Sequence, residues 1–227
     1  MNTLKLTAKD FKKSDLYWSD YIGTEDVTNY DGHIEIDGDL GWVRFKHSLK
    51  ASLSIVAEAE TGIEAGLGIE AGLGIKAGWG IKAGKGIKAG MGIEAETGIK
   101  AGEGIEAGAG IEAGEGIKAG WGIKVGKGIK VGEGIEAGLG IEAGWGIKAG
   151  EGIACKKVLK ASYNVFAGTA TWKKAVGVDM TVKCGKLEAT VAYGIVEETG
   201  IEEEKLSLSG KTVSVTLDGK TYEAVIK

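Results

Sequence analysis

The side chains best suited to nucleophilic or metal chemistry are few in this chain: His33, His47, Cys155 and Cys184 are its only histidines and cysteines. A catalytic triad needs a nucleophile, a base and an orienting group, and zinc needs clustered ligands. These four residues show neither pattern. Cys155 and Cys184 have no metal or redox spacing, so they are expected to be buried, reduced thiols of a cytoplasmic protein rather than a disulfide. "GWGIKA" and "GKGIKA" satisfy the dinucleotide pattern G-x-G-x-x-A, and "GIKAGKG" has the look of a phosphate loop. The strand–glycine turn–helix context that gives those motifs meaning is missing, and no Ser or Thr follows the lysine. The sequence therefore predicts no catalytic, cofactor or metal site, and a protein that is not an enzyme.

The glycine motifs are by-products of a repeat. From Gly62 to Gly152 the chain reads Gly, Ile, Glu or Lys, Ala, Gly, variable. Ile63, Ile69 and Ile75 begin a row with one Ile per hexad that continues to Ile147. Two places past each Ile stands Ala, or Val at Val125 and Val131. Glu96 breaks the glycine pattern. Ile153, Leu159 and Val165 prolong the row downstream. Val43, Leu49 and Ile55 do so upstream, out of phase by a two-residue insertion near Thr61 and Gly62.

A period of six fits no helix, and two glycines per hexad would cost a helix about 1 kcal/mol each. Strand geometry fits: Ile and Ala face one way and the charge between them faces the other. The Gly-x-Gly supplies the bend, and tolerance of positive φ is the expected reason for glycine. So short a strand buries its face only if the chain coils and stacks on itself, which makes a β-solenoid. Outward charges do not choose between coils of two hexads and coils of three. In the three-hexad frame one column alternates fully: Glu70, Lys88, Glu106, Lys124, Glu142, Lys160. Three hexads per coil is the expectation.

These Ile-x-Ala hexads resemble two groups in architecture. One is the left-handed hexapeptide-repeat helices of acyltransferases, the other the bactofilins, right-handed solenoids that polymerise. The left-handed group places a small residue four positions after its aliphatic. Here that place holds Leu67, Trp79, Lys85, Glu103 and Trp121, which favours the bactofilin-like form. The resemblance spans about 43–170 and implies a fold without implying a function.

The expected organisation is an all-β chain: an N-terminal cap of short helix plus strands over 1–42, a solenoid over 43–170, and a C-terminal β-strand cap or small β domain over 171–227. Thr7 to Asp10 reads as a capping box. The C-terminal region reads as a β-meander, with hairpin turns at Ser209–Gly210 and Asp218–Gly219.

Composition then narrows the function. A net charge of −4 and a pI near 5.4 argue against direct nucleic-acid binding. Abundant Ile, Ala and Val argue against disorder, and glycine without proline argues against collagen. "MNTLKLTAKDFKK" has no apolar leader segment, and no membrane span is expected. Ice binding needs threonine rows, and the main repeat offers Thr97. Acyltransfer needs a histidine near the coil, and the main repeat has none.

What varies is the slot between the glycines. Its candidates for a partner-binding surface are Trp79, Lys85, Met91, Glu115, Trp121, Glu133, Trp145 and Glu151. Aromatic and aliphatic side chains exposed among charges are the composition of a protein-binding surface. The sequence thus points to a rigid, non-enzymatic module that binds another protein. In the three-hexad frame Glu115, Glu133 and Glu151 stack in one column, an acidic ladder suited to a basic partner. One concrete version of the binding module is an inhibitor of a host nucleic-acid-handling enzyme, of the kind mobile elements encode, which no motif marks. The alternative is a self-assembling scaffold of the bactofilin type, hence a homo-oligomer.

Overall fold

The computed structural model describes residues 2–170 and 176–201, together with the backbone of 212–217 and 220–225. Parallel strands stack into a β-solenoid of about nine turns. From Ile81 to Ala149 each hexad gives one three-residue strand with the inward–outward–inward pattern that its residue types predict, as in Ile105–Ala107 and Ile117–Ala119. Ile87 pairs with Ile105, and Ile105 with Ile123, so strands three hexads apart are neighbours and three strands close a coil.

The coil therefore has three faces. The first runs from Thr3–Leu6 through Ile75–Gly78 to Ile147–Ala149. The second runs from Trp18–Tyr21 through Ile81–Ala83 to Ile195–Glu198. The third runs from Leu49–Ala51 through Ile87–Ala89 to Lys186–Tyr193. The long strand Val158–Phe166 turns a corner without a break. It pairs with Ile141–Ala143 through Leu159 and with Ile147–Ala149 through Val165, which joins the first and third faces into one sheet.

The core is the stack of inward side chains. Ile63, Ile81, Ile99, Ile117, Ile135 and Ile153 form one column on the second face, all buried. Burying an Ile contributes roughly 1.5–3 kcal/mol, and each lies on another Ile, so the shape that one coil presents is the shape the next one fits.

The corners follow from hydrogen bonding. The Gly84 amide donates to the Ala65 carbonyl at 2.9 Å and the Lys85 amide to the Leu67 carbonyl at 2.9 Å, so the ladder continues through the bends. Backbone groups must be paired wherever water is excluded, and this stacking pairs them. It also brings backbones together. A Cβ on Gly108 would lie far inside contact distance of the Gly90 carbonyl oxygen, whereas one on Gly110 would stand 3.4 Å from the Gly128 oxygen. The expected role of positive φ is not what the structure shows: no repeat glycine from Gly62 to Gly152 has one. The first glycine of each corner is there because no Cβ fits.

Glu96 occupies this first-glycine place. The coil beneath it carries the insertion, with Glu60 at φ 56° and a register shift between Ala77 and Gly78. The Glu96 amide lies 3.3 Å from the Ala77 carbonyl, against 3.1 Å for Gly114 to Ala95 one coil on. The displaced strand gives Glu96 its room. Thr61, buried in the insertion, donates its hydroxyl to the Asp37 carbonyl at 3.0 Å and accepts the Leu40 amide at 3.1 Å.

Coil stacking runs past both expected boundaries. His33–Ile36 pairs in parallel with Ile55–Ala59 and with Thr3–Leu6. Ile34 and Ile36 join the common core. The expected N-terminal helix is a single 3-10 turn, Ala8–Asp10, closed by the Thr7–Asp10 capping box. Phe11–Lys13 and Trp18–Tyr21 follow as antiparallel strands. Downstream, Thr181–Cys184 and Lys186–Tyr193 stack in parallel on the coils before them and are not a meander. Thr212–Leu217 and Lys220–Val225 form an antiparallel pair, and Asp218–Gly219, the expected turn, lies outside the described residues. Ser209–Gly210 and the expected strand over 205–210 lie outside the described residues.

Two substitutions separate the roles of the glycines. Gly108→Ala should lower the thermal midpoint by an amount equivalent to about 2–3 kcal/mol, the scale of overpacking. Gly110→Ala should change stability by less than about 1 kcal/mol, because the reduced freedom of its unfolded chain offsets a mild contact. Thermal melts of the two variants side by side check this.

Candidate functional site

The variable slot lies on the corners, and a coil of three hexads sorts it into three rows. Amide-to-carbonyl bonds link Glu151 to Glu133, Glu133 to Glu115, Glu115 to Thr97 and Thr97 to Trp79, which is one row. A second row is Leu67, Lys85, Glu103, Trp121, Leu139, and a third is Leu73, Met91, Ala109, Lys127, Trp145, Tyr163. The eight candidate residues are therefore not one surface. Trp79, Glu115, Glu133 and Glu151 share the corner between the first and second faces. Lys85 and Trp121 share the next, and Met91 and Trp145 the last.

Each row lines the face that follows it. Leu67, Lys85, Glu103 and Trp121 wall a shallow trough along the third face. Met91, Lys127 and Trp145 wall one along the first. Glu115, Glu133 and Glu151 wall one along the second. Trp121 is 58% exposed, Met91 54% and Trp145 52%. Lys127 sits over the Trp145 ring, 5.3 Å from its centre. Trp79 differs: it is half-buried and donates its indole N–H to Glu60 at 2.8 Å, so it is engaged within the chain.

The outward charges in mid-strand distinguish the faces further. On the third face they read Lys50, Glu70, Lys88, Glu106, Lys124, Glu142, Lys160, Glu188, alternating at every step. The sequence shows the middle six. Lys50 and Glu188 were missed because an insertion and a longer connection break the spacing. The triplets Leu49-Lys50-Ala51 and Leu187-Glu188-Ala189 carry the same apolar–charged–small signal. Ion pairs run along the column, Lys50 to Glu70 at 3.1 Å and Lys88 to Glu106 at 3.6 Å.

The second face reads Glu64, Lys82, Lys100, Lys118, Glu136. Lys82 pairs with Glu64 at 3.3 Å and Lys118 with Glu136 at 2.7 Å, which leaves Lys100 between two like charges. The first face reads Lys76, Glu94, Glu112, Lys130, Lys148. Lys76 pairs with Glu94 at 3.0 Å, and that carboxylate holds the Lys76 ammonium above its ordinary pKa. Lys130 pairs with Glu112.

Cys155 and Cys184 are free, buried and one coil apart on the second face. Burial, then the neighbouring Cys184, pushes the Cys155 thiol up to about 11. His33 Nδ1 lies 2.6 Å from the Ser54 hydroxyl on the adjoining coil, and His47 is exposed. Among the described residues no three His, Cys, Asp or Glu gather as metal ligands, and no helix is long and apolar enough to cross a membrane.

Two outcomes follow. Glu106→Lys places three lysines in sequence and should destabilise by up to about 1 kcal/mol, while Lys100→Glu relieves a like-charge run and should stabilise by a few tenths. Both effects should shrink in high salt, as melts at low and high ionic strength will show. The thiol proton of Cys155 is held more tightly folded than unfolded, so its contribution is intact below the ordinary thiol pKa. It is lost as pH rises toward about 11. The wild type should therefore lose more stability between pH 8 and 11 than Cys155→Ala does, by pH-dependent denaturation.

No family model matches the chain, no curated protein matches it, and no solved structure matches it. The likeness to hexapeptide-repeat solenoids is one of architecture.

Proposed function

We propose that this protein is a non-enzymatic binding module whose rigid third face, with its wall of corner side chains, receives a protein partner. The observation that carries this reading is the coincidence on one face of a fully alternating charge column and the exposed Trp121. A partner meeting that face finds a fixed pattern of charges about 4.8 Å apart, which gives register and specificity. It also finds an exposed indole, the side-chain type that dominates interface energetics. The solenoid contributes rigidity: each coil is bonded to those above and below, so little ordering cost attends binding.

A second reading rests on a different row. Glu115, Glu133 and Glu151 stack on consecutive coils and present carboxylates at a spacing suited to a basic surface, as on a nucleic-acid-handling enzyme. Lys100 and Lys118 lie in the same trough and weaken that field, so the third face is preferred. Either reading describes a protein acting in the cytoplasm with no nucleic acid bound directly and no cofactor.

One comparison separates them. Immobilised wild type, Trp121→Ser and Glu115→Gln/Glu133→Gln should be exposed to the same extract and the retained proteins quantified. The third-face reading predicts loss of a specific partner by at least about tenfold with Trp121→Ser and retention with the double glutamine variant. The reverse pattern supports the acidic row, and full retention by both variants contradicts both surfaces.

A further inference from the structure

Resting on the third-face reading, we infer that the occupant of that face is a second copy of the same chain, packed antiparallel about a two-fold axis. The argument is charge complementarity. The column has eight charges, lysine at one end and glutamate at the other: Lys50, Glu70, Lys88, Glu106, Lys124, Glu142, Lys160, Glu188. An even-numbered alternating column becomes its own complement when reversed. With the two-fold between the coils of Glu106 and Lys124, Glu106 meets the partner's Lys124, Lys88 the partner's Glu142, Glu70 the partner's Lys160 and Lys50 the partner's Glu188. Symmetry repeats each pair, so all eight charges are opposed; at the end rung Glu188 also keeps Lys186 of its own strand at 2.6 Å, so the inner pairs carry most of the complementarity. A slip of one coil sets every overlapping charge against its like, and a slip of two opposes only six of the eight, so this register opposes the most charges.

The other faces do not do this over their length. On the second, the run Lys82, Lys100, Lys118 lies between Glu64 and Glu136, so reversal about its middle places like on like. On the first, Lys76, Glu94, Glu112, Lys130, Lys148 oppose unlike charges only about the step from Glu112 to Lys130. That register sets Lys76 against Phe166, the next outward residue after Lys148. The third face alone opposes its whole column.

Trp121 supplies the centre. It precedes the strand Ile123–Val125, which carries Lys124, so it belongs to the coil next to the axis. It also walls the trough on this face. The two-fold lies in the plane of the face and across the solenoid, so the same corner of both copies meets. The two Trp121 side chains then stand about one coil spacing apart, about 4.8 Å. Central aromatics ringed by charges are the usual anatomy of a stable isologous interface. Eight rungs give a face about 34 Å long and about 20 Å wide, so the pair covers about 1,300 Å², above the roughly 1,000 Å² that a specific interface needs.

The experiment is sedimentation or light scattering of the full chain from low to high micromolar concentration. Wild type should show twice the chain mass of 23.5 kDa and no larger species. Glu106→Lys and Lys124→Glu should each be monomeric, since each sets like charges across the axis. Mixed together they should form the heterodimer, because Lys at 106 then faces Glu at 124 of the other copy and the other central pair is native. That rescue also shows that both variants fold. Trp121→Ser should weaken the dimer by at least about tenfold, and Glu112→Lys on the first face should leave it intact. A wild type that stays monomeric, an open-ended series of larger species, single variants that still dimerise, or a mixture without rescue would each overturn the inference. A monomer whose Trp121→Ser variant nevertheless loses a different protein partner would leave the third-face reading standing and remove only the second copy.

Discussion

At all but one regular corner, that of Glu96, there is no room for a Cβ where the chain leaves its inward alanine or valine, and most of this structure depends on that contact. At Gly84, Gly90, Gly102 and Gly108 the backbone passes so close to the carbonyl of the coil below that only hydrogen can occupy the position. The closeness is useful. It lets the first two amides of a corner bond down the stack, as Gly102 does to Ala83 at 3.0 Å and Glu103 to Lys85 at 3.1 Å, so most of the ladder survives the bend. It also sets Ile on Ile from coil to coil, which turns a chain of very short strands into a continuous core.

With the core and corners fixed by four places in every hexad, the remaining two are free to vary. They are the mid-strand charge and the residue between the glycines. The charge positions are not used alike. One face alternates without interruption, and two carry runs of like sign, Lys82 to Lys118 and Glu94 to Glu112. Alternation is favourable between neighbouring strands by a few tenths of a kcal/mol to about 1 kcal/mol per pair. A selection for stability alone would treat the three faces equally, so their difference points to what each face meets.

Much of this is legible in the chain. The hexad period, the in–out–in strand and the alternating column can all be read from Ile, Glu or Lys, and Ala. Coil length cannot, because pooled charges fit coils of two hexads and of three alike. The contact that sets it is between backbones, and backbones leave no residue signature. The glycines were misread in mechanism for the same reason: sequence shows that a side chain is missing but not whether φ or space forbids it. The grouping of Trp79, Trp121 and Trp145 was also hidden. Neither the step from Trp79 to Trp121 nor that from Trp121 to Trp145 is a whole number of coils, so they occupy three corners. The ends misled because strand alternation looks the same in a meander and in a coil. Thr181–Cys184 is a coil strand because Val182 lies on Ile153, a partner well beyond the regular spacing of the repeat.

The central claim is that positions three hexads apart lie on one another while positions two hexads apart lie on different faces. Cross-linking of introduced cysteines tests it most directly. Lys88→Cys/Glu106→Cys should form an intramolecular disulfide readily under mild oxidation in dilute protein, since these positions are adjacent on the third face. Lys88→Cys/Lys100→Cys, two hexads apart, should not, because position 100 faces outward from the second face. The opposite result, with only the 88/100 pair cross-linking, would contradict the three-faced coil and everything built on its columns.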